Sequence, residues 1–145
     1  MLRAKVFLIL WVVLIATASL LHAEKYIVVD MDAQMAYAHQ NDKIVMSGRV
    51  STGKRDHPTP SGYYKILQKK RYHKSNLWPK PNGGAKMDYM LRLTNSGIAM
   101  HLGNVPKWAA SHGCIRVQSG FAQRLWNWAN VGTEVYISGD YPPGH

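Results

Sequence analysis

Short runs of β-branched and aromatic residues, separated by turn residues, are the feature that most constrains the fold of this chain. Residues 26–30 form such a run and residues 34–40 follow; after the polar turn Asn41-Asp42, residues 43–51 alternate between apolar and polar side chains. Alternation on both sides of a turn predicts a β-hairpin. Further strands are predicted at residues 63–68, 90–93, 98–101 and 133–138. The chain is therefore expected to be mostly β.

Other segments interrupt this strand pattern. Residues 58–62 predict a rigid turn, and residues 75–84, which carry Trp78, predict a loop because of their Pro and Gly content. One helix is predicted near the C-terminus, with Ser119 as its N-cap and Gly132 as its stop. Helical spacing places four apolar residues on one face of it: Phe121, Leu125, Trp128 and Ala129.

The N-terminal segment has a composition unlike that of the rest of the chain. Two positive charges and no acid precede an unbroken apolar run over residues 6–16, and small residues lead to Ala23. This order is typical of a secretory signal peptide. An uncleaved anchor stays open, although the apolar stretch is shorter than the roughly 20 residues that a membrane span needs. We therefore expect residues 1–23 to direct export, and residues 24–145 to form one domain in the periplasm or cell envelope, with membrane contact only through the first segment.

The chain contains a single cysteine, Cys114, among 145 residues. One cysteine excludes an intrachain disulfide and a zinc site built from four thiolates. In an exported protein a lone thiol is a liability unless it is hidden, paired with another chain or chemically useful.

Positive charge is concentrated in one part of the chain. Residues 57–87, here called the basic segment, contain seven Lys and Arg and no acid, whereas residues 24–56 are balanced. Such a segment is either a solvated face or a surface that attracts an anionic polymer. No nucleic-acid-binding motif is present and the export signal argues against nucleic acid. An anionic cell-wall polymer is the partner that suits the expected compartment.

Residues 111–116 place a thiol, an imidazole and a guanidinium close together, and His101 supplies a second imidazole upstream. Attack on an amide carbonyl needs a thiolate, a base and donors for the oxyanion. An adjacent imidazole can hold Cys114 as a thiolate near neutral pH, and Gly113 lets backbone N–H groups turn toward the carbonyl oxygen. Two alternatives stay open at this point: a metal held by Cys114, His101 and His112, and a buried inert cysteine.

The motif Ser-His-Gly-Cys-Ile-Arg at residues 111–116 resembles the signature of the L,D-transpeptidase family, whose catalytic domain is of the YkuD type. The resemblance extends over nearly all of residues 24–145. Residues 50–54 and 59–63 are similar to the family's Ser-Thr-Gly and Thr-Pro-x-Gly-x segments, and residues 97–101 to its strand that ends in the upstream histidine. The resemblance implies a mostly-β, β-sandwich catalytic domain with one main helix near the C-terminus.

The resemblance also implies roles for individual residues. Cys114 would be the nucleophile, and His101 the general base, oriented by the backbone carbonyl of Leu102. The amides of Gly113 and Cys114 would form the oxyanion hole. His112 and Ser111 would shape the pocket.

Two more residues are assigned to substrate binding, Arg116 and Tyr89. Arg116 follows the nucleophile by two residues, so on an extended backbone both side chains point to the same side. The sequence departs from many members in reading His101-Leu102-Gly103 with a short gap to the cysteine, as the compact branch of the family does.

The function implied by the resemblance is peptidoglycan L,D-transpeptidation. Cys114 would attack a tetrapeptide stem, release D-Ala and pass the acyl group from a thioester to an amine. With water as acceptor the same site would be an L,D-carboxypeptidase or amidase. A non-catalytic cell-wall binding module is the alternative from a different class. We expect a monomer with no cofactor and no metal.

Overall fold

Strands dominate the residues that the computed structural model describes, which are 24–80 and 83–140. In this part of the chain there are eleven strands and one helix. The first strands are β1 (Lys25–Asp30), β2 (Met35–Gln40), β3 (Lys43–Ser51), β4 (Gly62–Lys65), β5 (Gln68–Lys70) and β6 (Lys74–Lys80). The remaining elements are β7 (Gly83–Lys86), β8 (Met90–Arg92), β9 (Ala99–Leu102), β10 (Ile115–Val117), α1 (Phe121–Trp128) and β11 (Glu134–Ser138).

Nine of these strands form one hydrogen-bonded sheet in the order β4-β11-β1-β2-β3-β10-β9-β8-β5. Most neighbours are antiparallel, but β1 pairs with β11, and β9 with β10, in parallel. The predicted hairpin is confirmed as β2–β3, and its turn residues Asn41 and Asp42 have φ values of 53° and 61°. Two successive positive φ angles are the geometry of a turn that matches strand twist.

A large apolar cluster joins the two halves of this sheet and the helix. Alternate residues of β1, Ile27 and Val29, are fully buried, as is Ile115 of β10 in the other half of the order. Both halves contribute to the same buried cluster as Phe121 and Leu125 of α1. Because one cluster is shared by distant strands, the sheet curls so that its halves pack around the helix, and the prediction of a mostly-β domain with one C-terminal helix is confirmed.

The boundaries of the helix differ from those predicted. Its N-cap is Gly120 and not Ser119, and the Gly120 amide donates to the Gln123 side-chain oxygen at 2.6 Å. Glutamine three residues into the helix thus satisfies a donor that Ser119 does not reach. The helix ends at Trp128, because Ala129 is already extended, so Gly132 lies in the following turn and does not stop the helix.

Two lysines from other elements satisfy the C-terminal carbonyls of α1. Lys25 donates to the Trp128 carbonyl at 3.0 Å, and Lys69 donates to the Ala129 carbonyl at 2.6 Å. Lys69 also lies 4.4 Å from the centre of the Trp126 ring. Positive charge at a helix C-terminus is favourable. Lys69 of the basic segment therefore has a structural contact and is not a solvated charge.

The strand predicted at residues 63–68 is confirmed only as far as Lys65, because the chain divides there into β4 and β5. The Ile66 amide donates to the Thr133 carbonyl beside β11, whereas the next amide, Leu67, donates to Arg92 of β8. The chain changes partners between these two residues, so β4 and β5 lie at opposite edges of the sheet. Apolar alternation alone carries no information about such a change of partner.

The loop predicted at residues 75–84 is also wrong, because the segment forms the hairpin β6–β7. Lys74 pairs with Lys86 and Pro79 pairs with Gly84, with an irregular register between the two pairs. A two-stranded ribbon tolerates proline where a central strand does not. The description of this hairpin does not extend to its Trp78 side chain.

The expected signal peptide, residues 1–23, lies outside the described residues, and its role stays a prediction. Among the residues that the structure does describe, no helix has the length and apolar character of a membrane span.

Candidate active site around Cys114 and His101

His101 lies on β9, an interior strand of the sheet, and its side chain is buried. Its Nδ1 atom is 2.8 Å from the carbonyl oxygen of Leu102. A carbonyl oxygen only accepts, so Nδ1 carries the proton and Nε2 is left with a free lone pair. The structure thus shows the contact between His101 and the Leu102 carbonyl that the resemblance implies. This contact holds His101 in the tautomer that a general base requires.

Burial determines the charge of this histidine. Loss of solvent lowers the pKa of His101; the bond to Leu102 opposes this shift, and the positive charge of Arg116 adds to it. His101 is consequently neutral at pH 7 and able to take up a proton.

Cys114 immediately precedes β10, which runs parallel to β9. Its side chain packs against Met87, Met90 and Ala99, and its Sγ lies 3.5 Å from the carbonyl oxygen of Gly97. Arg116 pairs with His101, and every second residue of a strand points to the same face of the sheet. Cys114 therefore lies on the same face as Ala99 and His101. The nucleophile and base predicted from the motif are therefore brought to one surface.

The thiolate expected from the sequence at neutral pH is not supported. Burial raises the pKa of the Cys114 thiol, and a hydrogen bond with the Ala99 backbone only partly offsets it. Apolar surroundings disfavour the charged form of a thiol. Thiol and imidazole are thus both neutral at rest.

Ser111 holds the chain that leads to the nucleophile. Its hydroxyl donates to the carbonyl of Cys114 and accepts from the amide of Gly113 at 3.1 Å. Its backbone bonds to Thr52 and Lys54 at 3.0 and 2.9 Å. The Gly113 amide is thus already engaged, and it can turn to an oxyanion only by giving up the Ser111 hydroxyl.

Gly113 has a φ of 126°, where residues with a side chain are strained. A β-carbon there would also lie 3.3 Å from the Ile98 side chain. The carbonyl of Gly113 accepts from the Thr59 hydroxyl at 2.7 Å. The conformation of the backbone at residue 113 therefore requires glycine, the residue that was predicted to orient the backbone donors.

Thr59 is a residue of the site to which the sequence assigned no role. It is buried, and its hydroxyl accepts from the Gly53 amide at 2.8 Å while donating to Gly113. Ser51 acts similarly, donating to the Trp108 carbonyl and accepting from the Ala110 amide. Both belong to the segments quoted for the family resemblance, which was the available signal.

Arg116 pairs directly with His101 across β9 and β10. Its aliphatic part packs over Gly103, where a β-carbon would come within 3.0 Å of Arg116 Cγ. One guanidinium nitrogen, Nη2, donates to the Ala110 carbonyl at 3.4 Å. Arg116 forms no ion pair with any acid among residues 24–80 and 83–140. Most of its donors therefore remain available beside the base.

His112 is exposed, unlike His101. Its ring meets that of His57 edge to face, with the centroids 5.3 Å apart. Burial lowers its pKa, with the positive charge of Lys54 as a further cause. His112 is thus an exposed residue two positions before Cys114, which is compatible with a role in shaping the pocket.

Comparison with known proteins adds independent information. A family model described as the L,D-transpeptidase catalytic domain, YkuD, matches residues 24–137. The chain belongs to this L,D-transpeptidase family. The match confirms the resemblance drawn from residues 111–116.

Individual L,D-transpeptidases agree with this assignment. The probable L,D-transpeptidase 3 of Mycobacterium tuberculosis is 30% identical over 61% of this chain and 37% of its own length. The crystal structure of an L,D-transpeptidase from Stackebrandtia nassauensis has a TM-score of 0.73 at 24% identity, covering 84% of this chain and 58% of that one. L,D-transpeptidase 3 of M. tuberculosis with a faropenem-derived adduct has a TM-score of 0.69 at 21% identity, covering 81% and 61%. The chain thus spans less than two thirds of each relative.

Tyr89, the second residue assigned to substrate binding, immediately precedes β8. Its ring meets Trp126 edge to face at 5.9 Å, and the Arg71 guanidinium carbon lies 3.7 Å from its centre. The apolar cluster around Cys114 consists of Met87, Met90 and Ala99, without Tyr89. Tyr89 thus contacts both the basic segment and α1, and its role in substrate binding stays a prediction.

The metal alternative has no geometric support in the described part of the chain. No group of three or more metal-ligating side chains comes together there. Cys114 packs instead against apolar side chains.

Proposed function

We propose that this chain is a peptidoglycan L,D-transpeptidase in which Cys114 attacks a tetrapeptide stem and becomes acylated by it. The observation that carries the proposal is the neutral His101, with Nδ1 held by Leu102, on the same sheet face as a partly buried thiol. A base with a free lone pair beside a protonated nucleophile is the arrangement that nucleophilic acyl transfer needs.

The protonation states define the order of events. As Sγ attacks the carbonyl of the third, diamino-acid residue, its proton passes to Nε2 of His101. Collapse of the tetrahedral intermediate breaks the amide C–N bond, and the imidazolium returns its proton to the departing amine of D-Ala. The product is a thioester on Cys114, with His101 neutral again and ready to deprotonate an acceptor amine. Because both groups start neutral, no charge has to be buried at rest.

Backbone donors stabilise the oxyanion. We assign this role to the amide of Cys114 together with that of Gly113, which exchanges its bond to Ser111 as the oxyanion forms. Thr59 holds the carbonyl of the Gly113–Cys114 peptide, the same peptide that carries the Cys114 amide. A donor fixed in this way costs little reorganisation during the reaction, whereas the Gly113 amide first gives up its bond to Ser111.

Arg116 is proposed to bind a carboxylate of the donor stem. It lies opposite His101 and is not neutralised by a described acid. The donor offers carboxylates on the departing D-Ala and on the diamino acid, and a guanidinium can bind either with two hydrogen bonds.

Acceptor and location belong to the same proposal. The thioester would be resolved by the side-chain amine of a second stem, a protein lysine or a free D-amino acid, in the periplasm or cell envelope after export by residues 1–23. The basic segment would bring the enzyme to the anionic wall through lysines other than Lys69, whose ammonium is bound to α1.

The test is incubation with purified disaccharide-tetrapeptide followed by mass spectrometry. A dimer formed with loss of D-Ala supports transpeptidation, and loss of D-Ala alone indicates water as the acceptor. An unchanged substrate contradicts the proposal. His101→Ala and His112→Ala provide the matched pair of variants: the first is expected to lose most activity and the second much less.

A further inference from the structure

A cavity of about 310 Å³ lies beside the candidate active site. Its walls are formed by Tyr72, His73, Lys74, Lys86 and Asp88. None of these residues belongs to the catalytic groups described above. The volume suits a small part of a ligand and not a whole stem peptide.

Backbone pairing places this cavity one strand from His101. The chain at residues 71–74 pairs antiparallel with residues 86–89, through the Lys74–Lys86 pair and the bonds of Met87 to His73 and of Tyr89 to Arg71. The Leu102 amide then donates to the carbonyl of Asp88 at 2.9 Å. Asp88 is thereby adjacent to the residue that follows the base. The cavity adjoins β9 on the side opposite to β10 and Arg116.

Charged groups near the cavity agree with this placement. Burial lowers the pKa of His101, and Asp88 is close enough to oppose this larger effect by raising that pKa. Burial lowers the pKa of His73, and the positive charges of Lys70 and Arg92 lower it further. The cavity therefore lies near several lysine and arginine side chains, with Asp88 as the acid in its lining.

Lys74 and Lys86 are the unusual feature of the cavity. They are directly opposite each other on paired strands, which is unfavourable for like charges. Neither forms an ion pair with a described residue, Asp88 included. An anion bound between them would relieve the repulsion and gain two charge-assisted contacts.

We propose that Lys74 and Lys86 form a carboxylate subsite for a peptidoglycan stem, on the other side of His101 from Arg116. This inference rests on the proposed function for the identity of the ligand. The carboxylate belongs either to the donor stem, while Cys114 is acylated, or to the acceptor stem, while its amine approaches His101. Both stems carry free carboxylates near the reacting atoms.

The test compares Lys74→Gln/Lys86→Gln with Lys43→Gln/Arg124→Gln. The control pair removes the same charge from exposed positions on β3 and α1, outside the basic segment and away from the cavity. For each protein the KM of D-Ala release reports on the donor, and the dependence of dimer yield on acceptor concentration reports on the acceptor. In the cavity variant we expect either the KM for the donor or the acceptor concentration needed for half-maximal dimer yield to rise about ten-fold, with kcat nearly unchanged. The same stem amidated at its carboxylates should bind weakly to the native enzyme and lose little further in the variant.

A binding measurement separates this inference from the proposed function. Calorimetry with the tetrapeptide stem is carried out in a Cys114→Ser background, where turnover cannot obscure binding. Weaker binding of the acid stem, but not of the amidated stem, in the cavity variant supports the subsite even if the native enzyme releases no D-Ala. Equal binding in the cavity and control variants overturns the subsite, whatever the turnover of the native enzyme.

Discussion

The β10 side and the β8 side of His101 are built differently. On the β10 side, Ser111, Gly113 and Thr59 are buried and joined by hydrogen bonds between hydroxyls and backbone groups. On the β8 side, Lys74 and Lys86 are exposed and have no described ion-pair partner. In the proposed mechanism the first region holds the backbone around the nucleophile. In the proposed subsite the second presents positive charge to a carboxylate. The proposal therefore separates a hydrogen-bonded catalytic region from an exposed binding region by a single strand.

Removal of the nucleophile is expected to have the largest effect. Cys114→Ser should abolish turnover while folding is preserved, because the hydroxyl differs little in volume but is a far weaker nucleophile. Intact-mass measurement with a penem should show an adduct on the native protein and none on the variant. An equal adduct on the variant would show that another residue is the nucleophile, and would contradict the role assigned to the β10 side.

Arg116→Lys tests whether recognition also operates on the β10 side. We expect kcat/KM to fall about ten-fold or more, equivalent to at least ~1.4 kcal/mol, because an ammonium cannot bind a carboxylate through a planar pair of donors. The melting temperature and the alkylation of Cys114 should stay as in the native protein. A variant that melts early, yet discriminates between acid and amidated stems as the native enzyme does, would make Arg116 structural.

Thr59→Val weakens the rigid region without touching the reacting atoms. The substitution preserves shape but leaves the buried Gly53 amide and Gly113 carbonyl without the hydroxyl, at a cost of about 2 kcal/mol in the free energy of unfolding. We expect kcat to fall more than KM changes, since the peptide that carries an oxyanion donor is loosened. Thr59→Ser retains the hydroxyl and is the control. Indistinguishable kcat values for the two variants would exclude the positioning role.

Lys69→Met is expected to have the smallest effect and to act on stability alone. It removes the bond to Ala129 and the contact with Trp126, for about 1 kcal/mol measured by denaturant unfolding. Lys70→Gln changes an exposed neighbour and should alter stability by less than about 0.5 kcal/mol. If the two substitutions changed the free energy of unfolding equally, the contacts of Lys69 with α1 would not contribute to stability.

Much of this arrangement could be predicted from local patterns. Alternation predicted the hairpin β2–β3 and the strand that carries His101, and the motif at residues 111–116 was sufficient to identify the family. Pairing between distant segments was not predictable. Nothing local shows that Ile66 and Leu67 bond to opposite edges of the sheet, or that the proline-containing residues 75–84 form a hairpin.

Properties that depend on burial also escaped the sequence. A thiol next to an imidazole in the sequence predicts a thiolate, but the packing of Met87 and Met90 around Cys114 favours the neutral form. The contacts of Tyr89 with Arg71 and Trp126 could not be predicted because both partners are distant in sequence. Thr59 was visible within a family segment, yet its role depends on two backbone groups that only the fold brings together.

The central claim is that Cys114 and His101 are both neutral at rest and exchange a proton only during attack. The most direct measurement is the rate of alkylation of Cys114 by neutral iodoacetamide as a function of pH, followed by intact mass in the native protein and in His101→Ala. The alkylation rate of the native protein should rise with pH toward a midpoint above the ordinary thiol pKa of about 8.5, since burial raises the pKa of this thiol. A rate that has already reached its plateau at neutral pH, and loses that plateau in His101→Ala, would show a preformed thiolate–imidazolium pair and contradict the account.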